Sequence, residues 1–271
     1  MTFESSNLTP RIGTRIKTDA ETLLSGKRAD EIRRLLEERG VLAFPEINLS
    51  DEEQVLFTKT LGLIVDEGEN NIYKVTMDLK SNSSANYLKG AFYWHIDGTS
   101  SDTPILASIM SARHLPETGG GDTEFCNTYA AYEDLPEADK AEIRGLRVVH
   151  LLEASQRYWN PEPTWAEFQR MQSADPHTLP LVWKHRSGRE SLVLGCTASH
   201  VEGMDLREGW AVLVRLRDWA TQPQYTYRHQ WKLGDLVIWD NTGTMHRAHP
   251  YPTDSGRMMH RTKLYGEESF A

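Results

Sequence analysis

The pattern of apolar and polar residues is helical in the first third of the chain and strand-like afterwards. Residues 29–40 repeat apolar side chains every three or four positions and end in glycine, which predicts a helix. The apolar run 41–44 predicts a buried strand. Ser50 and Glu53 form a capping-box pattern, which predicts a second helix that continues toward Leu61.

From residue 92 onward, short apolar runs alternate with turn residues. Strands are predicted at 105–110, 146–151, 181–185, 191–194, 225–231 and 236–239. Helices are predicted at 128–135, 138–144 and 206–219. The polar segment at about 67–90 predicts a mobile loop. The segment 157–180 is rich in aromatic residues and proline, which predicts an excursion of the chain over the surface. We therefore expect one mainly β domain over residues 1–271, a sandwich or jelly-roll barrel with flanking helices.

Composition and charge limit the classes of partner that the protein is expected to bind. The 271 residues carry a net charge of -9 and show no basic stripe, so a nucleic-acid partner is not expected. No apolar run approaches the roughly 20 residues that span a bilayer, so no membrane partner is expected. The two cysteines, Cys126 and Cys196, are too few for a disulfide framework. With no leader pattern at the start, we expect a cytoplasmic protein, and assembly into a homo-oligomer stays open.

The motif His95-Ile96-Asp97 is the first candidate for chemistry. Residues two apart in an extended segment project to the same side, so both side chains can reach one metal ion. With one distant histidine, they form the two-histidine, one-carboxylate set that binds Fe(II) and leaves half of its coordination sphere open. A surface histidine beside a solvated aspartate would look the same, but the aromatic run 92–94 favours an apolar wall.

The downstream half supplies that histidine and a possible anion site. His246 follows the predicted strand 236–239 and its turn, whereas His249 is a competing ligand that precedes a proline. Arg257 and Arg261 are four apart and would share one face of a strand. A guanidinium group can hold a carboxylate in a bidentate fork, although each arginine alone is also compatible with a solvated strand position.

At this point the chain resembles the taurine/2,4-dichlorophenoxyacetate dioxygenase family, which uses Fe(II) and 2-oxoglutarate. The resemblance covers about 20–266, and the matching blocks follow the family order. They are 94–97 (WHID), 120–123 (GGDT), 129–132 (YAAY), 135–136 (LP), 234–235 (GD), 239–241 (WDN), 245–248 (MHRA) and 257–261 (RMMHR). The implied fold is a double-stranded β-helix, the cupin-like jelly roll.

The resemblance implies a role for each matched residue. His95, Asp97 and His246 are the implied iron ligands, which favours His246 over His249. Residues implied to bind 2-oxoglutarate are Thr123 and Arg257, at its distal carboxylate, and Arg261, which lies near both co-substrate and substrate. Trp94 and the turn at Asp240 and Asn241 are expected to hold the ligands, and no catalytic side chain is expected beyond the metal centre.

The implied reaction uses Fe(II), 2-oxoglutarate and O₂ to oxidise, usually hydroxylate, a substrate C–H bond, with release of succinate and CO₂. Arg261 favours a small to medium anionic organic substrate. Candidate substrate contacts are Tyr73, Tyr87, Phe92, Tyr93, Ser100 and Arg261. Taurine is not expected, because residues 61–67 lack the histidine of the sulfonate-using branch and Ala91 stands where that branch has asparagine.

Two other classes of protein would share part of this pattern. A non-oxidative metal enzyme, such as a jelly-roll hydrolase, would keep the ligands but would not need Arg257 or Thr123. A binding or storage protein with the same fold is expected to have lost a ligand, and here all three are present. Succinate release coupled to O₂ uptake separates the dioxygenase from the non-oxidative metal enzyme.

Overall fold

The computed structural model describes residues 2–83, 85 and 87–270, with strands and helices throughout this part of the chain. The strands are Phe3–Asn7 (β1), Thr14–Thr18 (β2), Val41–Phe44 (β3), Tyr73–Val75 (β4), Ala107–His114 (β5), Thr123–Asn127 (β6), Arg147–His150 (β7), His177–Pro180 (β8), Val182–Lys184 (β9), Glu190–Leu192 (β10), Ala198–Val201 (β11), Thr226–His229 (β12), Leu236–Asp240 (β13), Thr244–Ala248 (β14) and Met258–Leu264 (β15). The α-helices are Ala20–Leu24 (α1), Ala29–Arg39 (α2), Asp51–Leu61 (α3), Thr128–Glu133 (α4), Glu137–Ile143 (α5), Leu152–Arg157 (α6), Trp165–Met171 (α7) and Leu206–Ala220 (α8). Short 3₁₀ turns occupy Tyr87–Phe92 and Pro223–Tyr225.

Two facing sheets form the centre of the molecule. The larger has the order β1-β2-β3-β13-β5-β15-β4, and the smaller has the order β12-β6-β14. Phe125 of the smaller sheet packs against Trp239 of the larger one, with ring centroids 5.6 Å apart. The interior between the sheets is therefore apolar, and the functional side chains described below lie in this interior.

Strand β13 shows how the sequence divides the core. Leu236 and Ile238 pack with the helices α2 and α3, whereas Val237 and Trp239 pack between the two sheets. Successive side chains of a strand point to opposite faces, so an unbroken apolar run belongs to a strand that is covered on both sides. The predicted strand 236–239 is confirmed, with Asp240 added at its end.

The N-terminal helices end where their sequence signals predict. Helix α2 stops at Gly40, whose positive φ of 71° is accessible to glycine at low cost. Helix α3 begins with the predicted capping box, in which Ser50 accepts from the Glu53 amide and Glu53 accepts from the Ser50 amide. These helices cover the outer face of the larger sheet.

Three segments depart from the sequence prediction. The polar loop of about 67–90 contains the edge strand β4 and the start of a 3₁₀ turn, and its residues 84 and 86 lie outside the described residues. The excursion 157–180 contains α7, which begins with a capping box at Thr164 and Glu167, and the strand β8. The hairpin β1–β2 was not predicted, because β1 is mostly exposed and lacks an apolar alternation.

A third apolar cluster lies on the outer face of the smaller sheet. Met245 and Cys126 face this cluster, which also contains side chains of α4, α8 and the hairpin β9–β10. The predicted strands 181–185 and 191–194 are thus found as the two paired strands of this hairpin. Over residues 2–83, 85 and 87–270, each helix is too short or too polar to cross a bilayer.

Candidate metal centre and adjoining cavities

His95, Asp97 and His246 converge at one end of the space between the sheets. His95 and Asp97 lie in the loop between the first 3₁₀ turn and β5, and His246 lies on β14. One ligand atom from each residue lies within 4.8 Å of the other two. The Asp97 carboxylate oxygens are 3.8 Å from His95 Nε2 and 3.9 Å from His246 Nε2. Two imidazole nitrogens and one carboxylate oxygen are a donor set that suits Fe(II).

Backbone hydrogen bonds fix the two histidines side by side. The His95 amide donates to the His246 carbonyl at 3.0 Å, and the His246 amide donates to the His95 carbonyl at 2.9 Å. His95 Nδ1 lies 2.8 Å from the Tyr93 carbonyl, which can only accept, so Nδ1 carries the proton. The lone pair of His95 is therefore on Nε2, the nitrogen that faces Asp97.

A chain of hydrogen bonds orients the Asp97 carboxylate. Ser108 Oγ donates to Asp97 Oδ2 at 3.2 Å, and Asn241 Nδ2 donates to Ser108 Oγ at 3.2 Å. Trp239 Nε1 in turn donates to Asn241 Oδ1 at 3.1 Å. The turn after β13 thus reaches the candidate ligand through Ser108, whereas Asp240 accepts hydrogen bonds within the turn itself.

The charges of the site favour ligand forms of these side chains. Burial raises the pKa of Asp97, but His246, Arg261 and His95 outweigh that effect and hold the pKa below its ordinary value. Burial lowers the pKa of His246 well below its ordinary value, and the neighbouring His95 lowers it further. A carboxylate and a neutral imidazole are the forms that bind a divalent cation.

The competing histidine lies elsewhere. His249 Nε2 is 3.0 Å from Glu124 Oε2, on the outer side of β14, and is not a member of the metal cluster. His260 Nδ1 is 2.7 Å from Asp51 Oδ1 and packs toward α3. The structure thus brings His246, and neither of these two, to His95 and Asp97.

A small cavity of about 70 Å³ adjoins the metal cluster and contains Arg257. Arg257 is 3% exposed, donates from Nη2 to the Gly121 carbonyl at 2.8 Å, and lies 4.7 Å above the Tyr251 ring. Its Nε has no hydrogen-bond partner within the described part of the chain, and no described acidic side chain pairs with it. Thr123 Oγ1, which accepts from Trp231 Nε1 at 3.0 Å, lines the same cavity. A buried cation without an acid is a binding site for an anion.

Gly121 permits the close approach of Arg257. Its φ is +74°, and a Cβ atom built on it would lie 2.5 Å from Arg257 Nε. Any larger residue would therefore displace the guanidinium group as well as strain the backbone. The Gly-Gly-Asp-Thr block of the sequence thus supplies both a backbone acceptor for Arg257 and the hydroxyl of Thr123.

A larger cavity of about 350 Å³ opens on the other side of His95 and Asp97. Arg261 faces it, with Nη1 3.6 Å from Asp97 Oδ2 and Nη2 3.4 Å from Glu67 Oε1. Lys263 also lines it, and its Nζ lies 2.5 Å from Glu67 Oε2. Glu67 therefore bridges two cations at one wall of the cavity.

The predicted substrate contacts divide among three cavities. Tyr73, Tyr87, Ser100 and Arg261 line the larger cavity. Phe92 instead lines the small cavity, where its ring meets Tyr251 edge-on. Tyr93 points away from both, into a third cavity where its hydroxyl donates to the Tyr158 carbonyl at 3.0 Å. Adjacent residues of a helical turn project in different directions, which separates the two rings.

The sequence prediction missed several polar residues that line the larger cavity or pair with its lining residues. Lys263 had a readable signal, because it stands two positions after Arg261 and shares its face of β15. Glu67 lies in a segment predicted only as a loop, and its partners come from the opposite end of the chain. His150 and Thr197 also line the cavity. His150 lies in a segment predicted only as a strand, and Thr197 precedes β11, a strand that was not predicted.

A family comparison agrees with this geometry. A model of the taurine catabolism dioxygenase TauD, TfdA family matches residues 4–263. The chain belongs to this family. The α-ketoglutarate-dependent 2,4-dichlorophenoxyacetate dioxygenase of Burkholderia sp. (strain RASC) is 34% identical over 262 residues, which cover 90% of this chain and 87% of that protein. An alkylsulfatase of Acinetobacter baylyi is 33% identical, over 96% of this chain and 84% of that protein.

Solved structures confirm the predicted jelly-roll fold. AAD-2 in complex with Mn(II) and N-oxalylglycine superimposes with a TM-score of 0.85 at 31% identity, covering 100% of both chains. This TauD/TfdA chain is therefore an α-ketoglutarate-dependent dioxygenase that uses Fe(II), 2-oxoglutarate and O₂. The predicted reaction class and co-substrates are confirmed.

Proposed function

We propose that this enzyme oxidises a C–H bond of a small organic acid that carries one negative charge. His95, Asp97 and His246 hold the Fe(II), and Arg257 with Thr123 holds the distal carboxylate of 2-oxoglutarate in the small cavity. The bound iron and 2-oxoglutarate supply the oxidising power from O₂, with succinate and CO₂ as co-products. The arrangement of the two cavities around one metal cluster is the observation that carries this proposal.

The protein contributes orientation, charge and exclusion of water. Ser108 fixes the Asp97 carboxylate, and the Tyr93 carbonyl fixes the proton of His95, so that both ligands are set before the co-substrate arrives. Arg257 is buried, so its interaction with a carboxylate is little screened by solvent. The aromatic Phe92 and Tyr251 close the small cavity around an aliphatic chain.

Charge balance favours a monoanionic substrate. A ferrous ion, Asp97, Arg257 and dianionic 2-oxoglutarate together carry no net charge. At the wall of the larger cavity, Arg261 and Lys263 share the single negative charge of Glu67, which leaves one surplus positive charge. A surplus cation that is only partly exposed, as Arg261 and Lys263 are, is stabilised by one anionic group on the ligand. The two curated relatives fit this rule, because 2,4-dichlorophenoxyacetate and an alkyl sulfate each carry one negative charge.

The two alternative classes are less well supported. A jelly-roll hydrolase has no use for the buried Arg257 beside the metal cluster, and a binding protein has no need of all three candidate ligands. We also place the enzyme in the cytoplasm, since both cysteines are buried free thiols, as is usual in reducing compartments.

Substrate-dependent succinate formation tests the proposal. The purified enzyme is supplied with Fe(II), 2-oxoglutarate and O₂ and screened against phenoxyacetates, alkyl sulfates of increasing length and taurine. We expect monoanionic acids to stimulate succinate formation together with an equal amount of oxidised product, and taurine to give neither. His95→Ala is expected to stay folded by circular dichroism and to form no succinate. Full activity in this variant, or stimulation by taurine alone, would overturn the assignment.

A further inference from the structure

The larger cavity contains a buried histidine to which the proposed mechanism gives no role. His150 ends strand β7, is 3% exposed and lines the cavity. Its Nδ1 lies 2.8 Å from Thr197 Oγ1, whereas its Nε2 has no hydrogen-bond partner among residues 2–83, 85 and 87–270. Buried polar atoms are nearly always paired, so an unpaired ring nitrogen in a cavity wall indicates a partner that arrives with a ligand.

The imidazole of His150 is neutral under ordinary conditions. Burial lowers its pKa to about 4, with a further contribution from His177. A neutral imidazole offers one donor nitrogen and one acceptor nitrogen, and here Thr197 uses one of the two. The free nitrogen therefore suits a neutral polar group, since it brings no charge to balance an anion.

A second feature keeps the ring in place. Thr197 Oγ1 lies 3.1 Å from Thr99 Oγ1, and the Leu151 amide donates to the Thr197 carbonyl at 2.8 Å. These contacts join the segments that carry Thr99, His150 and Thr197 and hold the imidazole in one orientation. A ring fixed in this way can discriminate between ligands by hydrogen bonding, because it does not have to be ordered when they bind.

We propose that His150 is a specificity-determining residue, whose Nε2 forms a hydrogen bond with a neutral polar substituent of the substrate. The proposal rests on the proposed function, in which the β15 wall with Arg261 receives the anionic group. The wall with His150 belongs to a different sheet, formed by β11, β7 and β8. The substrate class is therefore an organic acid with a hydroxyl or carbonyl oxygen remote from its charge.

Paired ligands isolate the hydrogen bond. Binding of phenoxyacetate and of its ortho-, meta- and para-hydroxy derivatives is measured by calorimetry, with Mn(II) and N-oxalylglycine in the metal site. We expect at least one hydroxy acid to bind the wild-type protein about tenfold more tightly than phenoxyacetate, the gain typical of satisfying one buried polar group. In His150→Leu this preference should fall below about twofold, while the affinity for phenoxyacetate changes little.

Two variants control for folding and chemistry. His150→Gln keeps a polar group near the Nε2 position and should retain part of the preference. His185→Leu replaces a histidine that is also buried but lines a separate cavity, and it should leave the preference unchanged. A preference that survives in His150→Leu, or a wild-type protein that prefers none of the hydroxy acids, overturns the role of His150. If His150→Leu does not fold, His150→Gln and Thr197→Val serve instead. A preference for the hydroxy acid over phenoxyacetate that is undiminished in both variants also overturns the role of His150.

Turnover separates this inference from the proposed function. With Fe(II), 2-oxoglutarate and O₂, the His150 variants should still oxidise phenoxyacetate, but the ratio of product to succinate for the preferred hydroxy acid should fall. Failure of the wild-type enzyme to bind or oxidise any of these acids counts against the proposed function. Oxidation of all of them with no effect of His150 counts against this inference alone.

Discussion

Arg257 offers the sharpest test of the co-substrate site. It is buried, has no acidic partner among the described residues, and is held only by the Gly121 carbonyl and the Tyr251 ring. Its charge is therefore available to a carboxylate in the small cavity. Replacing it with methionine keeps much of the volume and removes both the charge and the planar donor fork.

The expected magnitude follows from this burial. Truncating one partner of a buried, hydrogen-bonded charge pair costs about 2–5 kcal/mol. Because about 1.4 kcal/mol corresponds to a tenfold change, the KM for 2-oxoglutarate should rise by at least about 30-fold in Arg257→Met. Arg257→Lys should fall between this variant and the wild type, since an ammonium group keeps the charge but cannot form the fork or stack on Tyr251.

Succinate formation at a saturating concentration of the organic acid measures the effect, and calorimetry with Mn(II)-loaded protein checks it by binding alone. Arg113→Met is the matched control, because Arg113 is a partly buried arginine that bonds to Leu49 and Asp51 away from both cavities. It should alter thermal stability and leave the KM for 2-oxoglutarate unchanged. A KM within about threefold of the wild-type value in Arg257→Met would refute the assignment of the anion site, since it corresponds to less than about 0.7 kcal/mol.

Three further predictions concern Ser108, Glu67 and Asp240. Ser108→Ala removes the hydroxyl between Asn241 and Asp97, so Fe(II) affinity in a chelator competition should fall about 10- to 100-fold, and unchanged affinity would show that the hydroxyl does not support the ligand. Glu67→Gln leaves two surplus positive charges, on Arg261 and Lys263, at the wall of the larger cavity, so the affinity for dianionic acids relative to monoanionic acids should rise about tenfold. An unchanged ratio of the two affinities in calorimetry would exclude the charge argument. Burial raises the pKa of Asp240 from 3.8 to about 7. Between about pH 4 and 7 this carboxyl group is ionised in the unfolded chain but protonated in the folded one, so the free energy of unfolding falls as the pH rises. Asp240→Asn should thus match the wild type in urea unfolding near pH 4 and exceed it by up to about 4 kcal/mol at pH 8; a gap that does not widen with pH contradicts this.

More of the metal centre than of the substrate cavity could be predicted from the sequence. The spacing of His95 and Asp97 and the position of His246 after a buried strand are local signals, and the structure brings these three residues together. Arg257 and Arg261 were predicted to share a strand face from their spacing alone; Arg257 lies one residue before β15 and Arg261 lies on it, and both line the small cavity. The spacing of residues along the chain is enough to predict these features, because they do not depend on how distant elements pack.

The substrate cavity depends on contacts that no local pattern contains. Phe92 and Tyr93 are adjacent and both aromatic, yet the orientation of one 3₁₀ turn sends them into different cavities. Glu67 acquires its role only because β15 lies beside the loop that carries it. His150 sits in a correctly predicted strand, but whether its ring faces solvent, core or cavity is decided by the packing of α6 and the segment around Thr197.

The paired main-chain hydrogen bonds of His95 and His246 affect how the enzyme acquires its metal. They join segments about 150 positions apart in the chain through amide and carbonyl groups alone, so the main-chain positions of both histidines are set by folding and do not require an ion. Iron uptake is then a late event on a finished apoprotein, unlike the zinc finger, whose folding is driven by its metal. Exchange of one divalent ion for another should consequently leave the unfolding cooperativity of the chain unaltered. Only the unfolding midpoint should move, by an amount that grows with the logarithm of the free metal concentration divided by the Kd. A broad or multi-step transition in the metal-free protein would show instead that the ion assembles this end of the barrel.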